Sequence, residues 1–347
     1  MLPSNLIITN DLNSSLKDLF SKKKYSKTGL LMDENTFHHC YPQVQQFLPD
    51  HYILKISSGE ENKNIQNCLK IWNFLTKNKF DRKSLLINLG GGVIGDMGGF
   101  CAATFKRGID FINLPTTLLA QVDASIGGKL GIDFEGFKNH IGLFKDPEAI
   151  VIYTPFLNSL DFRQIRSGFA EVIKHSLIAD AQAWPTITSK DLQDQDWDPL
   201  VRHSVEIKNK VVQEDPLEKG LRKILNFGHT IGHAIETFFL DQEEILLHGE
   251  AISIGMICEA YLSNKLSSLK KVELHDIETF LIKTYGKTEI PREAIKIIAG
   301  FTLQDKKNEN TDINCTLLES PGKAIYDQKI STEDVMEAIE YYKKRVD

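Results

Sequence analysis

Residues 84–105, SLLINLGGGVIGDMGGFCAATF, constrain the fold more than any other stretch of the chain. An apolar run breaks into glycines and reopens at once as a helical pattern, which reads as strand, turn and helix. Glycines at such a turn let backbone N–H groups approach a pyrophosphate, and the helix N-terminus favours its negative charge. The order is Gly90-Gly91-Gly92-Val93-Ile94-Gly95-Asp96 and not a strict GxGxxG. The turn follows several strands instead of the first, and no acidic partner lies about 20 residues on. Tight packing of a helix on a sheet explains the glycines nearly as well.

The flanks extend the pattern. LIIT near the start, TGLLMD at 28–33, YILKI at 52–56, FINLP at 111–115 and AIVIY at 149–153 read as strands. Residues 64–78, NIQNCLKIWNFLTKN, carry apolar positions at helical spacing. This alternation predicts an α/β layer with a mainly parallel sheet. Ser58-Gly59-Glu60-Glu61-Asn62-Lys63 follows the YILKI strand, where a ribose-binding acid could sit, and Pro115-Thr116-Thr117 ends the next strand with two hydroxyls. Polar groups at three strand ends suggest one crevice at the carboxyl edge of the sheet.

After Thr154 the texture changes. Segments 161–179, 199–214, 222–240, 249–267, 271–284 and 331–345 read as helices, CTLLES at 315–320 as the one later strand, and 181–199 as a loop excursion. A chain of 347 residues suits two domains. The expectation is a Rossmann-like α/β domain over 1–158 and an all-α domain over 159–347.

The helical half holds KILNFGHTIGHAIE at 223–236. His229 and His233 stand four residues apart, one turn apart on one helical face, with Asn226 close to that face and Arg222 a turn earlier. His248 follows in LLHGEAISIGM, and Glu171 lies upstream in SGFAEVIKH. Two or three imidazoles and a carboxylate suit a catalytic zinc site with a position left open. The pair is HxxxH without the Glu of HExxH, so a metalloprotease would lack its general base. Hydrogen-bonded histidines on a half-buried helix are the other reading.

Composition removes some classes. The net charge is −6 and there is no basic tract, which argues against a nucleic-acid partner. No apolar run approaches a membrane span, and MLPSNLIITNDLNSS lacks the charged start and apolar core of a signal peptide. The five cysteines, odd in number and never in a CxxC, read as reduced thiols in a cytoplasmic protein and not as zinc ligands.

Residues 121–142, QVDASIGGKLGIDFEGFKNHIG, set Asp123, Lys129, Lys138 and Asn139 among glycines in a loop. Lysines beside glycines can cradle an anion, and a solvated face is the plainer alternative. With SGEENK, GGGVIGDMGGFCAATFKRG, LPTTLLAQVDASIGGKLGID, FKNHIG, GFAEVIKH, EIKNKVV, GLRKILNFGHTIGHAIE and HGEAISIGM in order from 58 to 256, the chain resembles the 3-dehydroquinate synthase family. Leu130 stands where that family usually has Thr, His140 where it often has a small apolar residue, and LFKDP replaces a more aromatic run. No group with an implied catalytic role is lost.

The resemblance implies an NAD-dependent, zinc-dependent cyclase (Co2+ a possible substitute) of the shikimate pathway. It would convert 3-deoxy-D-arabino-heptulosonate 7-phosphate (DAHP) to 3-dehydroquinate and phosphate. It implies metal ligands at Glu171, His229 and His248, and gives His233 to the substrate. NAD contacts are implied at Asp33, in the 58–63 segment, at Gly92, Val93, Ile94, Gly95 and Asp96, and at Thr116, Thr117, Lys129 and Lys138. The turn Phe156, Leu157, Asn158 and Ser159 completes them. Substrate contacts are implied at Asp123, Lys129, Asn139, Lys174, Lys208, Arg222, Asn226 and His233, with a late lysine at Lys323 or, as rivals, Lys306 or Lys307. Arg107 would reach a neighbouring site in a homodimer. A related cyclase, making deoxy-scyllo-inosose or a valiolone, and a zinc- or iron-dependent alcohol or glycerol dehydrogenase are the competing activities.

Overall fold

The computed structural model describes residues 2–135, 137–240, 242–303 and 313–346. Lys306 and Lys307 lie outside the described residues. Two compact units form: Met1–Ile165 with Trp197–Asn209, and Arg166–Asp196 with Lys210–Asp347. The sequence boundary at 158/159 assigns 197–209 to the second domain, whereas these residues cluster with the first unit.

In the first unit, β1 (Leu6–Ile8), β2 (Thr28–Asp33), β3 (His51–Ile56), β4 (Leu85–Gly90), β5 (Asp110–Pro115) and β8 (Ala149–Ile152) form a sheet in the order β1-β8-β5-β4-β2-β3. Every neighbouring pair is parallel. Its helices are α1 (Leu12–Lys22), α2 (Glu34–His39), α3 (Tyr41–Val44), α4 (Ile65–Lys77) and α5 (Gly92–Thr104). The pleat sorts the core. Leu30, Met32, Leu85 and Ile87 join one apolar cluster with Leu12 and Leu16, while Leu31 and Leu86 join another with Ile71, Leu75 and Met97. Alternate residues of one strand therefore serve opposite layers, which is why these strands read as continuous apolar runs. Side chains start the helices: Asp11 Oδ1 accepts from Ser14 N at 3.1 Å, and Asn64 Oδ1 from Asn67 N at 3.0 Å.

The 121–142 segment is not the loop that its glycines suggest. Ala120–Ala124 is a π-helical turn, and β6 (Lys129–Phe134) pairs antiparallel with β7 (Phe137–Phe144). Gly127 and Gly128 take φ of +96° and +65°, so they mark the entry to this hairpin.

The second unit is helical: α6 (Phe162–Ala179, entering at Arg166), α7 (Trp184–Thr188), the end of α8 (Trp197–Glu214), α9 (His229–Phe239), α10 (His248–Leu266), α11 (Lys271–Tyr285), α12 (Ala294–Thr302) and α13 (Thr332–Val346). It also carries an antiparallel ribbon, β9 (Ile313–Ser320) with β10 (Lys323–Ile330). The partner strand β10 and helix α12 escape the sequence reading. KAIYDQKI alternates too weakly to stand out, and its burial pattern is mostly exposed until Ile330.

The expected continuous helix over 222–240 is two pieces. Leu221–Asn226 is a 3-10 turn, Gly228 has φ +81°, and α9 starts at His229. A Cβ on Gly228 would lie 2.5 Å from Met256 Cγ, so glycine is required there by both backbone and space. Arg222 and Asn226 therefore do not share a helix with His229.

Candidate functional site

The first unit places its candidate groups around the carboxyl ends of the central strands. Gly91 precedes α5 without a side-chain cap, so the first-turn N–H groups are served by no side chain of their own helix. Asn88, Gly90, Gly91, Gly92, Gly95, Asp96, Asn113 and Pro115 line a narrow cleft. A Cβ on Gly91 would approach Thr117 Cγ2 at 2.9 Å, so the glycine keeps the turn against the Thr116-Thr117 strand end. This cradle of backbone donors at a helix start fits the diphosphate of a dinucleotide.

Lys63 is almost fully buried. Its Nζ donates to Asp96 Oδ2 at 2.7 Å and to Asn139 Oδ1 at 2.6 Å, joining the 58–63 turn, the start of α5 and β7. Burial works against its charge, but Asp96 and Glu60 more than compensate, and its pKa lies above the ordinary value. Lys208 Nζ reaches both Asp123 Oδ1 and Asp123 O at 2.6 Å, so two implied substrate residues meet in the π-helical turn. Such turns recur at functional sites.

Other residues have more restricted parts. Asp33 Oδ1 caps α2 through Thr36 N at 2.8 Å. Ile94, Phe156 and Leu157 are buried in the core, so these three could offer a ligand only backbone atoms. Lys129 and Asn139 are exposed and Lys138 half-buried on the hairpin. Ser58 N and Oγ are held by Glu34.

The ion pair yields a stability expectation. Lys63→Met strands the Asp96 carboxylate, which should cost about 3 kcal/mol. Adding Asp96→Asn should recover part of it, measured as a double-mutant cycle in denaturant. Additive losses would remove the pair from the account.

In the second unit, α6, α9 and α10 bring four groups together. Glu171 Oε1 lies 3.5 Å from His229 Nε2 and 3.5 Å from His248 Nε2. Donors on one tetrahedral ion at ordinary zinc–ligand lengths lie roughly 3.3 Å apart, so the spacing fits a shared metal. His233 belongs to the same group: ligand atoms of His229, His233 and His248 all lie within 4.8 Å of one another. Its ring centroid is 4.9 Å from that of His229 and 5.7 Å from that of His248.

The support around these groups suits a metal ion. Lys174 pairs with Glu171 Oε2, leaving Oε1 towards the imidazoles. His229 Nδ1 lies 3.1 Å from Phe227 O, and His248 Nδ1 lies 3.3 Å from Glu236 Oε2. A carbonyl and a carboxylate on the far ring nitrogens turn both Nε2 atoms inward. Burial disfavours charge on His248, but Glu236 and Glu171 outweigh it and push the ring up to about 10. Glu236 was missed by the sequence reading, although it lies seven residues after His229, two turns along the same face.

The anion-binding candidates sit before α9. Arg222, 2% exposed, donates Nη1 to Pro216 O at 2.7 Å, and its backbone N donates to Asp215 Oδ2 at 3.1 Å. Asn226 Nδ2 donates to Glu218 Oε1 at 3.0 Å. Lys323 is exposed and paired with Glu319 at 2.6 Å.

Comparisons with known proteins give the family and the fold. The family model described as 3-dehydroquinate synthase N-terminal matches residues 53–167, and the one described as 3-dehydroquinate synthase C-terminal matches 168–308. A 3-dehydroquinate synthase of Parabacteroides distasonis is 40% identical, covering 99% of both chains. Among solved structures, a 2-deoxy-scyllo-inosose synthase complexed with carbaglucose-6-phosphate, NAD+ and Co2+ superposes with TM-score 0.84 at 24% identity, covering 97% of this chain and 96% of that one. A 2-epi-5-epi-valiolone synthase from Streptomyces hygroscopicus with NAD+ and Zn2+ gives 0.85 at 20% identity, covering 99% and 98%. Those two share the fold. With both halves matched and near-complete coverage at 40% identity, the chain belongs to the 3-dehydroquinate synthase family.

Proposed function

We propose that this chain converts DAHP to 3-dehydroquinate and inorganic phosphate, as a phosphate-eliminating lyase using NAD and a divalent ion, zinc or cobalt. The observation that carries the reading is the triangle of Glu171, His229 and His248, in a chain so similar to a 3-dehydroquinate synthase. When bound, the ion would polarise substrate oxygens as a Lewis acid and the nicotinamide would take and return a hydride.

The chain's own residues do the rest. Gly91, Gly92 and the first turn of α5 offer backbone donors to the dinucleotide, with Thr116 and Thr117 at the neighbouring strand end. Lys63 holds Asp96 and Asn139 at fixed positions. Lys208 fixes Asp123, so its carboxylate is placed to accept from a substrate hydroxyl. Arg222 carries a planar fork of donors suited to a carboxylate, where lysine would be a point charge. His233 is the candidate for moving a proton near the leaving phosphate, since an imidazole ordinarily titrates near neutrality.

A homodimer is part of the proposal. Lys106, Arg107 and Gly108 take φ of +51°, +69° and +111° in succession. Two non-glycine residues in the left-handed region are uncommon and concentrate at functional turns. Arg107 is exposed there, as a residue lent to a neighbouring subunit would be. Five buried cysteines suit a reducing, cytoplasmic setting, and no described helix is long and apolar enough to cross a membrane.

The test is to give metal-loaded protein DAHP and NAD, then follow phosphate, carbocycle and NADH absorbance together. Phosphate and 3-dehydroquinate should appear one for one with no net NADH. Stoichiometric NADH would make the chain a dehydrogenase. Cyclisation of glucose 6-phosphate at the DAHP rate would make it a related cyclase.

A further inference from the structure

Glu259 lies on α10, eleven residues beyond His248, and is fully buried. Its carboxylate does not point along its own helix. Oε2 accepts from Gly228 N at 2.6 Å and Oε1 accepts from Ile231 N at 3.0 Å. Those two donors belong to the start of α9, where Gly228 supplies no side-chain cap. The first N–H groups of a helix have no partner within it, and a carboxylate is favoured there by charge as well as by hydrogen bonding. Glu259 is therefore the cap of α9, supplied from another helix.

The approach that allows this is close. A Cβ on Gly255 would overlap Gly228 O, and would lie 2.6 Å from Gly232 N. A Cβ on Gly232 would lie 2.8 Å from Ile252 Cδ1. Bare backbone on both helices lets α9 and α10 come near enough for a single Glu side chain to reach the turn. Between the two donors Gly228 and Ile231 lie His229, at the first position of α9, and Thr230.

We infer that Glu259 is the positioning residue of the metal centre: by gripping Gly228 and Ile231 it fixes the turn that aims His229 at Glu171 and His248. Its two carboxylate oxygens are engaged with backbone N–H groups. It acts through the backbone on either side of His229, while Phe227 O acts on the ring itself. Two clamps thus set one imidazole, one on its main chain and one on its Nδ1.

This inference rests on the metal reading, and the experiment separates the two. Apoprotein is titrated with Co2+, reading the dissociation constant and the visible absorption bands, for wild type, Glu259→Gln and Glu259→Asp. Wild type that binds no Co2+ would overturn the metal reading. Glu259→Gln keeps the size but turns one acceptor into a donor facing an N–H. It should bind Co2+ about 10–100-fold more weakly, with shifted bands, as supporting residues around metal ligands generally do. Glu259→Asp keeps charge and both acceptors with shorter reach, and should fall between the two. A merely structural role would lower thermal stability and leave Co2+ affinity and spectrum unchanged in every variant that folds; that result overturns the inference. Should Glu259→Gln fail to fold, Glu259→Asp is read by the same criterion.

Discussion

Replacing His229 with alanine is expected to strip the protein of its metal and lower turnover by about three orders of magnitude, while the fold survives. The size follows from the loss of a Lewis acid worth several kcal/mol at the transition state, each 1.36 kcal/mol being tenfold. The fold should persist because His229 opens α9 instead of filling its core. Ile231 and Ile235 supply the buried apolar contacts of the helix, and Glu259 still caps it. Metal content by elemental analysis, phosphate release, and the unfolding curve of metal-free protein against metal-free wild type check the three parts. Zinc content and activity close to wild type would remove His229 from the ligand set. A collapse of the metal-free protein would show that the residue is structural.

Gly249→Ala should do damage of another kind, to stability and metal binding together. A Cβ on Gly249 would overlap the carbonyl of Ser167 and approach Ser167 Cα at 2.7 Å. The obstacle is backbone, which no rotamer change can clear. Overpacking in a close-fitted interior typically costs about 1–3 kcal/mol, and a main-chain overlap belongs at or above the top of that range. Relief requires α6 and α10 to part, which also breaks the 3.0 Å bond from Gly249 N to Ser167 Oγ. His248 is the adjacent residue and Glu171 lies one turn beyond Ser167, so parting the helices opens the 3.5 Å spacing between them. The variant should therefore unfold at lower temperature and bind Co2+ more weakly. Gly300→Ala is the control. It lies in α12 with nothing within 4 Å of its Cβ position, so alanine there should be neutral or stabilising by about 0.5–1 kcal/mol. A Gly249→Ala protein as stable as wild type would mean that the helices are less closely fitted than this.

What the sequence disclosed, it disclosed through periodicity and punctuation. β2 is the TGLLMD run itself, because an apolar stretch buried on both faces and bounded by polar turns has one reading in a parallel sheet. The glycine turn and α5 were legible for the same reason. The hairpin of β6 and β7 was not: Gly127, Gly128, Gly131 and Gly142 looked like loop punctuation, yet Gly131 and Gly142 are paired strand residues. A Cβ on Gly142 would overlap Leu130 O, so closeness of two strands and not flexibility selected the glycine. For the cluster around Glu171, the motif resemblance implies His229, His248 and Glu171 as the ligand set, whereas HxxxH spacing alone favoured His229 with His233. The supporting Glu236 and Glu259 were invisible, since a carboxylate's partner across helices is fixed by tertiary packing and leaves no mark in local spacing. The break at Gly228 was missed because NFGHTIGH keeps helical periodicity through a residue whose φ is +81°.

That break has a consequence for how such a chain can change over generations. Arg222 and Asn226 ride on the turn before Gly228, whereas His229 and His233 ride on the helix after it. A rigid rod carrying all four would tie the two groups together, because any shift that refitted one end would swing the other. With a left-handed joint between them, insertions and exchanges in 215–226 can be absorbed before they reach α9. On the proposed reading, substrate preference and catalytic power would be separately heritable traits on adjoining stretches of one polypeptide, and the preceding turn is where drift towards a new acid or sugar would begin.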